Sequence, residues 1–187
     1  MPPLKKTLAK AQKGEPLELD EMWSFVARRK NKRWVWLARC RRTRQIVAYA
    51  IGDRSETTCA LLCSRIPKAY RRGLLYTDFW SAYALVLPAK RHWATGKGDG
   101  QTCHIGRFNN ILRQRLGRFV RRTLSFSKTD QMHENCLRLF LHQYNKQRLT
   151  TQIRTLPIRL CQSSVKLPAE IACGKHDQQS EEDYSVG

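Results

Sequence analysis

Residues 1–150 hold only ten acidic side chains, and two of them stand where paired carboxylates can do chemistry. Asp20 lies inside the run LELDEMWSFV, between Leu19 and Trp23, and Asp78 closes the run GLLYTD. Both runs read as strands. If the second pairs with the first, the two carboxylates arrive at one end of adjacent strands. Carboxylates held that way repel one another unless a cation sits between them. Ligands that are all oxygen, with open positions, suit Mg²⁺ or Mn²⁺. Two such ions about 3.5–4 Å apart activate a water or a 3′-hydroxyl and steady the leaving oxygen in phosphodiester chemistry. A plainer reading also fits, with Asp20 capping a strand edge and Asp78 starting a turn.

A second feature with chemical meaning is the stretch TCHIGRFNNILRQRLGRFVRRTLSFSK, residues 102–128, with seven Lys or Arg and no Asp or Glu. Ile105, Phe108, Leu112, Leu116 and Phe119 are spaced by 3, 4, 4 and 3, one apolar stripe of a helix for which Thr102 is the expected N-cap. Gly106, Asn109, Asn110 and Arg113 fall on a neighbouring face, expected to look toward Asp20 and Asp78. Arg107, Arg113, Arg115, Arg118, Arg121, Arg122 and Lys128, with Asn110, project around the rim, where each cation can neutralise a nucleic-acid phosphate and release counterions. Other basic clusters, RRKNKR (28–33) and RRTR (41–44), fall at expected hairpin turns at opposite ends of the strands. The five tryptophans, at strand spacing, fit a core better than base stacking.

The elements that must position these residues follow from hydrophobic patterning. LELDEMWSFVARR, KRWVWLARC and QIVAYAIG are rich in aromatic and β-branched residues and separated by short polar turns, so they read as three consecutive antiparallel strands. SETTCALLCSRIP reads as a helix capped by Ser55 and stopped by Pro67. GLLYTD is a short strand, FWSAYALVLP a short helix, KRHWAT a fifth strand and GKGDGQ a flexible loop. After the basic helix, DQMHENCLRLFLHQYN makes a last helix with Asp130 as its cap; beyond Tyr144 the periodicity fades into an expected poorly ordered tail. The order β-β-β-α-β-α-β-α-α describes an α/β fold, a mixed five-stranded sheet flanked by helices, as in ribonuclease H-like proteins.

The 187 residues suffice for one domain with a core, and the net charge of +20 predicts a polyanionic partner, nucleic acid before an acidic membrane. Residues 151–187 carry four basic and five acidic side chains, so the positive charge belongs to the first 150 residues. No apolar run reaches the roughly 18 residues of a membrane span, and the basic N-terminus lacks the apolar core of a signal peptide. The seven cysteines are odd in number and contain no CxxC, which reads as free thiols rather than a zinc site.

LELDEMWSFV, LLYTDFWSAY and above all RFNNILRQRLGRFVRRTLSFSK closely resemble the second reading frame of transposases of the insertion-sequence-one family, from about Glu18 to Gln147. The resemblance implies a basic lead-in (1–17), a ribonuclease H-like catalytic core (18–147) and a tail (148–187). It implies an Asp-Asp-Glu triad that binds divalent metal, Mg²⁺ or Mn²⁺, cuts DNA at element ends and joins them to a target. Asp20 and Asp78 match its two aspartates. Its glutamate directly precedes RFNN, and here that position is Gly106. Asp99, in the glycine loop, is the nearest carboxylate that could swing in as a replacement, since none lies between it and Asp130. The expectation is a DNA-binding core with impaired catalysis, or alternatively a non-catalytic DNA-binding protein that inhibits active transposase; a basic structural or RNA-binding protein is the remaining rival. Implied partners are DNA, an upstream reading-frame protein or domain that recognises element ends, and further copies of the chain on DNA. The implied place of action is the cytoplasm, at the nucleoid.

Overall fold

The structure is a computed structural model that describes residues 2–155. Five strands, β1 (Leu17–Phe25), β2 (Lys32–Cys40), β3 (Ile46–Gly52), β4 (Leu75–Thr77) and β5 (His92–Ala94), form one mixed sheet in the order β3-β2-β1-β4-β5. β1 and β2 pair antiparallel along their whole length, from Leu17 opposite Cys40 to Phe25 opposite Lys32, and β2 pairs antiparallel with β3. β4 joins β1 in parallel through Leu17–Leu75 and Glu18–Tyr76, and β5 extends the sheet in parallel beyond it. Helices α1 (Glu56–Arg65), α2 (Ser81–Val86), α3 (Cys103–Arg115) and α4 (Asp130–Thr155) complete the fold. This is the α/β, ribonuclease H-like arrangement expected from the order of elements.

Strand alternation divides the core in two. Leu17, Leu19, Trp36, Ala38 and Ala50 face one side and pack with Cys59 and Leu62 of α1 and Tyr83 of α2. Met22, Val35 and Leu37 face the other side and pack with Ile105, Phe108 and Leu112 of α3 and with Leu137 and Leu141 of α4. Burying an aliphatic side chain contributes about 1.5–3 kcal/mol, so both helix layers are held firmly against β1 and β2.

Ser55 and Thr102 stand at the N-cap positions expected of them, yet neither side chain caps its helix, and at α4 the capping side chain is one residue earlier than expected. Ser55 hydrogen-bonds the Asp53 carboxylate and the Thr57 hydroxyl rather than the α1 backbone. Thr102 makes no side-chain cap either; the fully buried Glu18 of β1 reaches across and accepts from Ile105 N at 2.8 Å. At α4 the hydroxyl of Thr129, not Asp130, accepts from Met132 N, which leaves Asp130 in the first turn to pair with Arg33 at 2.7 Å. A carboxylate or hydroxyl oxygen satisfies the orphan N–H groups from either position.

The apolar stripe of α3 also ends sooner than its spacing predicts. Leu116 is extended, at φ −120° and ψ 96°, and Phe119 enters the core from a separate 3-10 turn, Gly117–Phe119. In the other direction, α4 runs past Tyr144 to Thr155, and the remainder of the expected tail, 156–187, lies outside the described residues. The glycine loop is partly ordered as a 3-10 turn at Lys97–Asp99.

Candidate active site

Sheet register decides which acids meet. β4 pairs with β1 only as far as Glu18 and stops at Thr77. Extending the same parallel register sets Asp78 beside Asp20. β1 has no β4 partner at residues 20 and 21, and Glu21, although on the opposite face of the strand, brings a carboxylate oxygen to the same space. One carboxylate oxygen each from Asp20, Glu21 and Asp78 lies within 4.8 Å of the others. No other group of three His, Cys, Asp or Glu among the described residues approaches a metal-binding arrangement, the cysteines included.

The three carboxylates are held by different partners. Asp20 accepts from Glu21 N at 2.9 Å and from Asn109 Nδ2 of α3 at 2.7 Å. Burial, with the negative charges of Glu21 and Asp78, pushes the Asp20 carboxyl up to about 7, against the pull of those two hydrogen bonds. Glu21 is engaged on both oxygens. Arg54 donates Nε and Nη2 to its Oε1 at 2.9 and 2.7 Å, and Tyr83 donates its hydroxyl to Oε2 at 2.8 Å. Burial and then the charge of Glu21 raise the Tyr83 hydroxyl well above its ordinary range, so it stays a donor. Asp78 accepts from Trp80 N at 3.1 Å, an Asx turn that aims its carboxylate back toward β1.

Arg54 ties these segments together. Its guanidinium lies 3.7 Å from the ring of Trp80 and 4.6 Å from that of Trp34 while it grips Glu21. Cation–π contacts of this kind are worth about 0.5–2 kcal/mol each. One side chain thus braces Glu21 on β1, Trp34 on β2 and the turn that carries Asp78.

On the other side, α3 is fixed to β1 by Glu18 at Ile105 and by Asn109 at Asp20. Gly106 stands one turn before Asn109 on the same face, and nothing lies within 4 Å of where its Cβ would be. Asn109 is 5% exposed and its Oδ1 has no hydrogen-bond partner. Arg113, on the next turn of that face, is drawn beneath the rim rather than set on it. Its Nε is buried without a hydrogen-bond partner, and burial followed by the nearby Arg121 lowers its proton affinity while Asp20 raises it.

The remaining rim is mixed. Arg107, Asn110, Arg115, Arg121, Arg122 and Lys128 are exposed. Arg118 is half-buried and donates to Phe126 O at 3.1 Å. Asp99 accepts from Gly96 N at 3.2 Å within its own turn and takes no part in the carboxylate cluster. Of the tryptophans, Trp36 is fully buried against Tyr83, Trp34 and Trp80 sandwich Arg54, Trp23 lies beside Lys32 and Arg121, and only Trp93 is widely exposed.

A family profile described as IS1 transposase matches residues 16–147. The chain belongs to the IS1 transposase family. Insertion element iso-IS1n protein InsB of Shigella dysenteriae is 35% identical over 127 residues, 68% of this chain and 94% of its own length. Insertion element IS1 protein InsB of Shigella flexneri is 34% identical over 67% of this chain and 92% of its own, and an InsB protein of Escherichia coli K12 is 32% identical over 67% and 72%. Membership of this transposase family supports a transposition function, implies DNA as a partner and suggests a divalent-metal requirement; no described helix is long and apolar enough to cross a membrane.

Sequence reasoning does not single out Glu18, Glu21, Arg54 or Tyr83. Glu21 is visible as Asp20's neighbour in LDEMW, but strand alternation assigns it to the opposite face. Only the short pairing of β4 lets both acids share one edge.

Proposed function

We propose that residues 18–147 are the metal-dependent core that cleaves phosphodiesters and transfers strands at insertion-sequence ends, and that this chain performs the reaction poorly because its third carboxylate position is Gly106. The observation that carries the reading is the placement of Gly106. It lies on the helical face that delivers Asn109 to Asp20, with open space where a longer side chain would project.

The donor set fits a hard divalent cation, Mg²⁺ or Mn²⁺, held by Asp20 and Asp78. Three crowded carboxylates and a raised Asp20 proton affinity describe negative charge that a cation would relieve. Such ions supply an activated hydroxyl nucleophile and stabilise the departing oxygen. The protein's own contributions are to hold Asp20 through Asn109, to keep Glu21 neutralised by Arg54, and to aim Asp78 through the Trp80 turn. Arg107, Asn110, Arg115, Arg121, Arg122 and Lys128 neutralise the phosphates of the bound duplex, and Arg113 and Arg118 support that surface from beneath. These contacts carry affinity rather than sequence, so recognition of element ends falls to an upstream reading-frame protein or domain, with further copies of the chain on DNA.

The missing carboxylate also favours a second reading, a DNA-binding protein that inhibits active transposase. A Mn²⁺-dependent nicking and strand-transfer assay on the full chain and on Gly106→Glu separates the two. The impaired-enzyme reading expects activity to rise by about tenfold or more in the variant, since even a side chain that only orients a metal ligand is worth about that much. Salt-dependent DNA binding with no nicking by either protein supports the inhibitor reading. Equal, robust activity in both would show that residue 106 is not the vacancy proposed.

A further inference from the structure

At the sheet edge away from the carboxylates, a groove of about 460 Å³ runs along β3 between α1 and α4. Its floor is Val47, Ala48 and Ile66, with Pro3, Leu4 and Pro67 at the sides. Five cations line it: Lys5 from the N-terminal 3-10 turn, Arg65 from α1, Lys68 and Arg71 from the connector after α1, and Arg138 from α4. Glu134 is the one acid among its lining residues, and its Oε1 already accepts from the Tyr49 hydroxyl at 3.0 Å.

In a chain of net charge +20 a basic patch by itself means little. Three features set this one apart. It is concave, and its cations converge from four separate elements. Two guanidiniums are fixed by carbonyls rather than neutralised by carboxylates: Arg65 donates to Tyr49 O at 3.1 Å, and Arg71 donates to Ile66 O at 2.8 Å and Ser64 O at 2.7 Å. Their charge stays available while their rotamers are already ordered, which lowers the entropy cost of engaging an anion. Finally, the groove histidine, His142, has its proton affinity lowered first by burial and then by the nearby charges of Arg138 and Lys146.

We propose that this groove is a second contact site for the phosphate backbone of duplex DNA, separate from the carboxylate cluster and its rim. Tyr49 stands two strands from Asp20 through the Asp20–Leu37 and Leu37–Tyr49 pairs, about 10 Å across the sheet. None of the groove residues belongs to the 102–128 stretch. The groove and the α3 rim therefore share no residue, and their contacts to DNA can be removed separately. The proposal rests on the DNA-directed reading above.

The test compares the full chain with the double variant Lys5→Ala, Lys68→Ala and with the rim variant Arg121→Ala, Arg122→Ala; all four residues are exposed. Binding of a duplex of about 30 base pairs is measured from about 50 to 300 mM salt without divalent metal, and circular dichroism checks the fold. Each lost phosphate contact lowers the slope of log K against log[salt] by about 0.9, so two groove contacts remove roughly 2 from the slope and weaken binding about 60-fold at about 0.1 M salt. That result, additive with the rim variant, is expected. An unchanged slope in the groove variant beside a reduced slope in the rim variant overturns the groove and leaves the DNA reading standing. A chain that self-associates through the groove, with dimer lost and slope unchanged in the double variant, overturns it in favour of a protein interface. Failure of the unmodified chain to bind duplex at the lowest salt overturns both.

Discussion

Replacing Asp20 by asparagine has a stability consequence whose sign and size follow from the site. In the folded protein the Asp20 carboxyl titrates at about 7 rather than 3.8, because burial and the neighbouring Glu21 and Asp78 disfavour its charge. Between those values the folded state holds a proton that the unfolded state has released. Stability is therefore fully retained below about pH 4 and falls as pH rises through about 7. At about 1.4 kcal/mol per pH unit the full loss is ~4 kcal/mol, and the remaining exposure of Asp20 trims it to about 2–3 kcal/mol. In Asp20→Asn the side chain is neutral at every pH. The new amide carbonyl can accept from Glu21 N as Asp20 Oδ1 does, and the new amide N–H can donate to Asn109 Oδ1, which has no partner now. Any fixed cost of this rearrangement cancels from the pH slope. Urea denaturation of both proteins in EDTA should show Asp20→Asn gaining about 2 kcal/mol relative to the parent between about pH 5 and pH 8. Other titrating groups, His133 among them, act on both proteins alike. A gap that stays constant or narrows with rising pH would refute the claim that Asp20 carries uncompensated charge.

Three further outcomes follow from the same geometry. Because a metal must displace the Asp20 proton, Mn²⁺ affinity should rise about tenfold per pH unit between about pH 5 and 6, with close to one proton released per ion at the lower pH by calorimetry in two buffers. Arg54→Ala strips Glu21 of its cation and both tryptophans of their contact, and should cost about 2–3 kcal/mol in urea denaturation; Arg54→Lys should recover less than half, since an ammonium cannot make the paired bonds and the stack together. His133 bridges Ser24 at 2.8 Å and Ser127 at 3.0 Å and stacks on Phe119, and burial lowers it to about 4. His133→Ala leaves two buried hydroxyls unpaired beside a cavity and should lower stability by about 2–4 kcal/mol at neutral pH.

Much of the fold is legible in the sequence because its signals are local. KRWVWLARC forms β2 without change of boundary, since aromatic and β-branched residues with polar turns on both sides leave a strand few alternatives. The stripe Ile105, Phe108, Leu112 is the buried face of α3. Its continuation to Phe119 misleads, because a 3-10 turn can present an apolar residue at the same depth as a helical one. The caps at Ser55, Thr102 and Asp130 mislead for a related reason. An orphan N–H donates to any nearby oxygen, and at α3 that oxygen belongs to Glu18, far away in sequence.

The sequence by itself determined the charge, the element order, the membership of residues 16–147 in the IS1 transposase family and the absence of a carboxylate at position 106. Those are properties of composition, periodicity and residue identity, which need no long-range contact. Tertiary structure decided the rest. That Asp20 and Asp78 meet depends on a parallel pairing of β1 and β4 that no local pattern encodes, and that Glu21 joins them depends on where the pairing stops. The brace of Arg54 on Glu21, Trp34 and Trp80 joins four segments distant in sequence. Proton affinity at Asp20 is likewise a tertiary quantity, because burial and neighbouring charge exist only once the sheet has closed around it.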